Sequence, residues 1–444
     1  NYANITSTAT NAIGMYGENS GVKNAGTVAM SLAGVGIYGK DSIIENTGTI
    51  ITGDTIKTGL TEETAVGIYA TGTSDVRNVS NINTGWSSVG IFGENGTIIN
   101  DGTITAGESS IYMFTYGAGG NIINNSLLNL TDRSIGIYAT AGTAVNSNTG
   151  VINVGKSDIM SDPREFAVGM ATETGTVINR GTINVDKEYG VGMFAGKKDA
   201  NTGKAYNEGT INVTGKNAYG IQVNEEAQAY NSGIINVSGN DVTGIYLAGD
   251  GTKLVNYGTI NITGTGMGIS YTPTVELSNV VDTTGTTQGY TSKQYNLPDM
   301  PTLVNTGVIN VNVGGNFNYD GIRVIVTIDP STNTPTTNSS SQVGFGGVIP
   351  DRLEVAPDFA TGTASDRYVF ENIFKGATGK GEYISQSLTW DATGQGSDLV
   401  MTRKAYMDFT DGLWYEDFGR ELNEKYAVTT GEGRQIFDKI NYIT

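Results

Sequence analysis

The stretch Asn179-Arg180-Gly181-Thr182-Ile183-Asn184-Val185 decides the fold, because most of the first three quarters of the chain is a variation on it. Ala167-Val168-Gly169-Met170-Ala171 and Thr176-Val177-Ile178-Asn179 lead into it, and Gly190-Val191-Gly192-Met193-Phe194 opens the next copy. The Asn-x-Gly corner returns at Asn24, Asn46, Asn100, Asn179, Asn207, Asn231, Asn256 and Asn305, with looser copies at Asn78, Asn124 and Asn146. Most spacings are about 22 to 25 residues, the period of one solenoid turn. Each copy holds three short alternating runs, which read as three strands. Repeated every coil, strand and corner stack as an all-β parallel β-helix of three sheets, with roughly a dozen coils between Asn1 and about Val324. At about 4.8 Å per coil this is a rod on the order of 55–60 Å long.

Neighbouring side chains in a strand face opposite sides. In the first strand this places Val35/Ile37, Val66/Ile68, Val89/Ile91, Ile135/Ile137 and Val191/Met193 inside. Tyr16, Tyr38, Tyr69, Phe92, Tyr138, Phe194 and Tyr246 are left outside as a column of rings stacked coil over coil. In the second strand Val22, Ile44, Val76, Ile98, Ile122, Val177 and Leu254 share a face with the corner Asn two places on, whereas the place between takes Lys23, Glu45 and Arg77. Charge marks that place as solvent, so the corner amides are inside, where each needs its counterparts above and below as hydrogen-bond partners. In the third strand Ile183/Val185, Ile211/Val213, Ile235/Val237 and Ile309/Val311 point in, with the Thr and Asn between them out. The glycine two places after each corner is expected to supply a backbone angle that a Cβ would resist.

Composition fits a secreted rod. The 444 residues exceed one ordinary globular core, a limit that a solenoid avoids by growing in one dimension. Gly is 63 residues, Pro 8 and charged residues 16%, which is neither collagen-like nor disordered. The absence of cysteine suits a chain that crosses a membrane unfolded. A balance of 26 basic against 44 acidic residues, net −18, argues against nucleic acid and anionic lipid as partners. There is no 18-residue apolar span and no signal peptide. Asn1-Tyr2-Ala3-Asn4-Ile5-Thr6 aligns with Asn24-Ala25-Gly26-Thr27-Val28-Ala29, so the chain opens in mid-coil and reads as the C-terminal part of something longer.

The β-helix is expected over residues 1–328, with insertions at 54–63, 157–165 and, largest, 272–301. Residues 329–341 (DPSTNTPTTNSSS) read as a polar linker and 342–403 as a β-cap of hairpins closing the open end. Residues 404–444 switch to helical period: Trp414, Phe418, Leu422 and Tyr426, then Ile436, Ile440 and Ile443, predict two amphipathic helices with Asp411 and Thr430 as N-caps.

The corner coils, the Val-Gly-Ile-Tyr-Gly strand at Val35–Gly39, Trp390-Asp391, Leu399-Val400-Met401-Thr402-Arg403-Lys404 and Ile436-Phe437-Asp438-Lys439-Ile440 resemble the large type V (type Va) autotransporter adhesins of fusobacteria over essentially the whole chain. The resemblance implies a right-handed β-helix passenger on the cell surface, last coils and cap acting as a folding nucleus, and an outer-membrane β-barrel beyond. It implies a monomeric adhesin whose partner is a protein or glycan receptor on other bacteria or host cells. The chain itself shows no alternating apolar strands of barrel type.

Chemistry is sparsely signalled. Without histidine there is no Ser-His-Asp or Cys-His catalysis and no usual zinc site. No cofactor, metal or catalytic residue is expected. The rival reading, a polysaccharide-degrading β-helix enzyme, would use Asp54, Glu62 and Glu63, or Asp158, Asp162 and Glu165 beside Arg164. Loop carboxylates in an acidic protein read first as solvated charge. The outward rings either stiffen the wall by stacking or offer a stripe for sugars or a protein partner. Trp86, Phe114 and Tyr116, in less regular coils, are further contact candidates.

Overall fold

The alternating runs of the repeat pair in parallel, each with its counterpart one coil away. The computed structural model describes residues 1–59, 61–158, 166–196, 203–224, 226–272, 301–305, 307–311, 322–328, 350, 352–357, 365–374 and 381–441. Among them three parallel walls form. The first has eleven strands, from Ile13–Glu18 to Met267–Thr272. The second has fourteen, from Gly21–Asn24 to Glu382–Ser385. The third is in two pieces, five strands from Asn4–Ser7 to Thr103–Ala106 and seven from Leu127–Asn129 to Val308–Val311. The molecule is therefore a parallel β-solenoid of about eleven turns. Most of the largest insertion, 273–300, lies outside the described residues, yet the second wall keeps its register across it, with Asn305 paired to Asn256.

The corner asparagines are the axis of this arrangement. Asn24, Asn46, Asn78, Asn100, Asn124, Asn146, Asn179, Asn207, Asn231, Asn256 and Asn305 are all fully buried. Each Nδ2 donates to the Oδ1 of the next at 2.8–3.1 Å. Asn1 extends the row by donating to Asn24. Where the second amide proton is placed it goes to a nearby carbonyl, as from Asn78 to Ser80 and from Asn124 to Ser126. A second row stands outside the third wall. There Asn153, Asn184, Asn212, Asn236, Asn261 and Asn310 each donate to the previous member, beginning with Asn129, at 2.7–2.9 Å, so its polarity is opposite.

Three sequence expectations are corrected. First, the leading residue of each first-wall strand faces out: Ile13 is half exposed, and Val168 and Val191 pack with Ile135, Tyr138 and Phe194 apart from the main core. The glycine that follows is the cause. A Cβ at Gly36 would strike the core side chain of Ile50 at 2.4 Å, so Gly36 and Ile37 both turn inward and the pleat loses its phase. Second, the glycine after each corner is needed for close approach. A Cβ at Gly26, Gly48, Gly102, Gly181, Gly209, Gly233, Gly258 or Gly307 would come within 2.0–2.2 Å of a carbonyl oxygen one coil back, whereas left-handed φ occurs at Ala33, Ser87, Arg133 and Tyr189 before the first wall.

Third, the cap is partly a continuation of the rod. The second wall runs on through Arg323–Ile328, Arg352–Pro357 and Glu382–Ser385, while the expected linker 329–341 lies outside the described residues. Strands Arg367–Phe370, Trp390–Gln395 and Asp398–Arg403 form an antiparallel sheet whose Phe370, Trp390, Leu399 and Met401 join the same core. Just past the last corner amide, buried Glu354 accepts Nε and Nη2 of Arg323 at 2.8 and 2.6 Å and Nε2 of Gln386 at 3.0 Å. The Arg323 guanidinium holds its carboxyl below the usual carboxylate range, against the opposing effect of burial.

One coil departs from the glycine rule. Tyr112 occupies the place of Gly90 and Gly136 on the first wall, and its ring is fully buried. Its hydroxyl donates to the Asn129 carbonyl at 2.7 Å and accepts from the Thr131 amide at 3.1 Å. These are third-wall groups at the interval where Thr103–Ala106 and Leu127–Asn129 belong to different sheets. The phenol thus bonds backbone groups on the side where the split wall offers no paired strand.

Two helices, α1 (Glu416–Tyr426) and α2 (Glu432–Asn441), close the described chain. Tyr415 is the N-cap of α1, so Asp411 does not sit at that position. Their buried face is Tyr426 and Phe437 with Tyr406, packed by Leu422 and Ile440; Trp414, Phe418 and Ile436 stay exposed, and Ile443 lies outside the described residues. Arg403 lies 4.2 Å from the Tyr426 ring centroid and pairs with Asp366 at 2.7 Å, tying the helices to the cap.

Two outcomes follow. Asn179→Ala strands the Asn146 donor and the Asn207 acceptor in the core and should cost about 2–4 kcal/mol in urea denaturation, whereas Asn184→Ala, on the solvent side, should cost less than about 1 kcal/mol. For Glu354, a depressed folded pKa means stability present above the unfolded value of about 4.3 and lost as pH falls through the folded one. Cap unfolding followed by Trp390 fluorescence should therefore steepen below about pH 4.3 in the parent and flatten there in Glu354→Gln.

Candidate functional site

With the leading aliphatic residues turned out, the outer side of the first wall carries two apolar columns side by side: Val35, Val66, Val89 and Ile135 beside the rings. Tyr16, Tyr38, Tyr69 and Phe92 stack at 4.6–5.6 Å between centroids and within 18° of parallel. Phe114, which sequence reasoning set apart, belongs to the same row, edge-on to Phe92 and stacked on Tyr138 at 5.1 Å. Each contact is worth on the order of 0.5–1.5 kcal/mol beyond its buried area.

The row does not run unbroken to Tyr246. Ala171 stands at the rung between Tyr138 and Phe194, and Gln222 at the rung between Phe194 and Tyr246. A rung without a ring removes both of its stacking contacts, and Tyr246 stacks instead on Tyr219 at 4.9 Å. At Ala171 the wall opens into a concavity of about 390 Å³. Val168, Ala171 and Val191 make its floor, Tyr138 and Phe194 flank it, and Glu173, Gln222 and Asn224 supply polar groups. Its size is within the range of small-ligand sites. The Tyr138 hydroxyl donates to Glu173, and Gln222 donates to Asn224 at 3.3 Å. Burial first, and the bond to the Glu173 carboxylate next, push the Tyr138 phenol well above its ordinary range, so it remains a hydrogen-bond donor. The signal was present in the sequence as Val-Gly-Met-Ala, where other copies read Val-Gly-Ile-Tyr.

In the insertion at 54–63 each candidate carboxylate has a partner of its own. Asp54 accepts the Trp86 amide at 2.7 Å, Glu62 pairs with Lys57 at 3.7 Å, and Glu63 accepts Asn11 at 2.9 Å. Asp162, Arg164 and Glu165 lie outside the described residues. Among the described residues no group of three or more Asp and Glu could hold a metal ion, and no helix is long and apolar enough to cross a membrane. Trp86 is partly exposed beneath the Lys57 ammonium at 4.9 Å, and Tyr116 is exposed on the rod.

Against known families, residues 55–189 and 185–246 match the BigA third pectate lyase-like domain, and residues 332–405 match the BigA beta sandwich domain. No curated protein matches the chain. The two matches indicate a BigA-like bacterial surface protein; the pectate lyase likeness is one of fold, which does not carry an activity with it.

Absorbance titration of phenols checks the site's electrostatics. Tyr138 should ionise well above the ordinary phenol range of about pH 10, and Tyr138→Phe should remove one late-titrating group.

Proposed function

We propose that this chain is the membrane-proximal stalk and folding nucleus of a non-enzymatic adhesin, an autotransporter passenger anchored through an outer-membrane β-barrel. The observation that carries the reading is the in-register row of corner amides, continued from its last member into the cap by Arg323, Glu354 and Gln386. A solenoid whose coils contact only their neighbours lengthens without changing its cross-section, which suits a spacer that lifts a contact face from a membrane. A cap sharing the rod's core suits a nucleus on which coils are added in turn. The BigA-like matches support a surface location. In this reading the partner is a protein or glycan on other bacteria or host cells, the stalk is monomeric, and Asp54, Glu62 and Glu63 serve the scaffold.

Beads coated with the chain should be retained saturably on bacterial or epithelial cells, and deletion of residues 273–300 should leave retention unchanged. Retention no greater than that of uncoated beads would take the receptor contact away from this chain and leave it the stalk and folding nucleus alone. Cleavage of polygalacturonate with added calcium, abolished when Glu62 and Glu63 are changed to Gln, would favour the enzyme instead.

A further inference from the structure

We propose that the groove along the outer Asn row of the third wall holds a stretch of an extended, neutral, linear glycan, one hexose residue per coil. It rests on the adhesion reading and gives that reading a ligand class. Asn129, Asn153, Asn184 and Asn212, on four successive coils, form one side of a concavity of about 550 Å³. Its floor is the strand ends at Leu130, Val154 and Val185, whose side chains are buried. Asp186, Lys187 and Thr214, which follow in the chain, form the other side. Its size is within the range of small-ligand sites.

The amides of this row have spent only half of their capacity. Asn153 and Asn184 each donate one N–H to the preceding member and accept one bond from the next, at 2.7–2.9 Å. The buried corner amides pass a second proton to a backbone carbonyl, as Asn78 and Asn124 do, whereas the outer amides make no second bond among the described residues. Each coil therefore presents one unused donor and one unused acceptor on the solvent side of the wall. The exposed Thr214 hydroxyl adds another such group across the floor.

A guest must offer matching groups at the coil interval of about 4.8 Å. A β-1,4-linked hexose chain is a flat ribbon whose residue is close to one coil in length, and its half-turn between residues puts a vicinal diol and a hydroxymethyl alternately at each edge. Hydroxyls thus face the Asn row and Thr214 at every residue, while the C–H faces lie on the floor and towards solvent. Four amides span about 14 Å, room for about three such residues. A peptide strand rises about 3.3 Å per residue, so the groups on one of its edges recur at about 6.6 Å and lose step with the row at once. A polyproline helix repeats at about 9.3 Å, near two coils, but its recognition uses rings, and no ring lines this groove. Asp186 and Lys187 pair with each other at 3.4 Å, so the lining carries no net charge to select an acidic sugar.

The test uses the whole chain, with cellotetraose and the β-1,4 tetramer of N-acetylglucosamine as probes. Maltotetraose, whose α-linkages curve the chain, tetragalacturonate and a proline-rich peptide are the comparators. Saturation-transfer NMR titration should give a dissociation constant of about 1 mM for at least one probe, tightening from the monosaccharide to the tetramer. Asn184→Ala and Thr214→Val should each leave the rod folded and weaken binding by about fivefold, the loss of one hydrogen bond. Asn261→Ala breaks the same row beyond the groove and should leave binding unchanged. Absence of binding by both probes, undiminished binding by Asn184→Ala, equal loss in Asn261→Ala, a monosaccharide that binds as tightly as the tetramer, or preference for any comparator overturns the proposal. If neither probe binds while cells still retain the beads, this groove is sunk and the adhesion reading stands; a probe that binds beads no cell retains does the reverse.

Discussion

A buried side-chain amide has two donors and an acceptor to satisfy, and in this molecule the place that supplies most of them is directly above and below another amide. That single requirement sets the register of the second wall. A coil that slipped by one residue would put its Asn in solvent and its Lys23- or Glu45-type neighbour in the core. Insertions as different as 54–63 and 273–300 are tolerated because the chain must return to the same point above the previous Asn, whatever path it takes outside.

The walls divide the remaining work. The second wall is the continuous one and carries the row of amides into the cap, where the guanidinium–carboxylate–amide set of Arg323, Glu354 and Gln386 replaces it. The third wall carries the opposite-running row outside, where water shares the bonding and each link matters less. The first wall has no such row. Its glycines let successive backbones close to within a distance that a Cβ would violate, and this turns a column of aliphatic residues outward beside the rings. The exposed apolar face is thus a by-product of how the wall packs, and a single Ala for Tyr exchange converts it from a stacked surface to a cleft.

Much of the fold was legible because the repeat prints the same pattern many times. Corner asparagines, the second-wall apolar row and the inward pairs of the third wall lie where alternation puts them, all deeply buried where described. Alternation failed on the first wall, since period-two reasoning assumes an unbroken pleat and Gly36 and its equivalents break it. Tyr112 escaped notice for a related reason: a ring at a glycine position reads as an outward aromatic, and nothing local reveals that its hydroxyl serves Asn129 and Thr131 across the core. The helices were legible as helices, but which side of a short amphipathic segment is covered depends on how much protein packs against it. Tyr406 and Arg403 cover the side that carries Tyr426 and Phe437, and Phe418 and Ile436 are left exposed. The gap at Ala171 was visible as a substitution in a motif; its depth came only from knowing that Val168 and Val191 share the outer side.

The split in the third wall has a mechanical side. In a parallel solenoid the backbone hydrogen bonds lie along the rod, so tension between the ends loads the coils in series and each coil divides the pull among its walls. Between the coils of Thr103–Ala106 and Leu127–Asn129 two walls share it as paired strands, helped by the Asn100–Asn124 link and a bond from the Thr131 hydroxyl to Gly107. Among the described coils it is a thin cross-section of the same kind as that after Met267–Thr272, where the first wall ends, and less thin than that after Val308–Val311, where the second wall continues alone, so tension would test the rod towards the cap before it tests this interval.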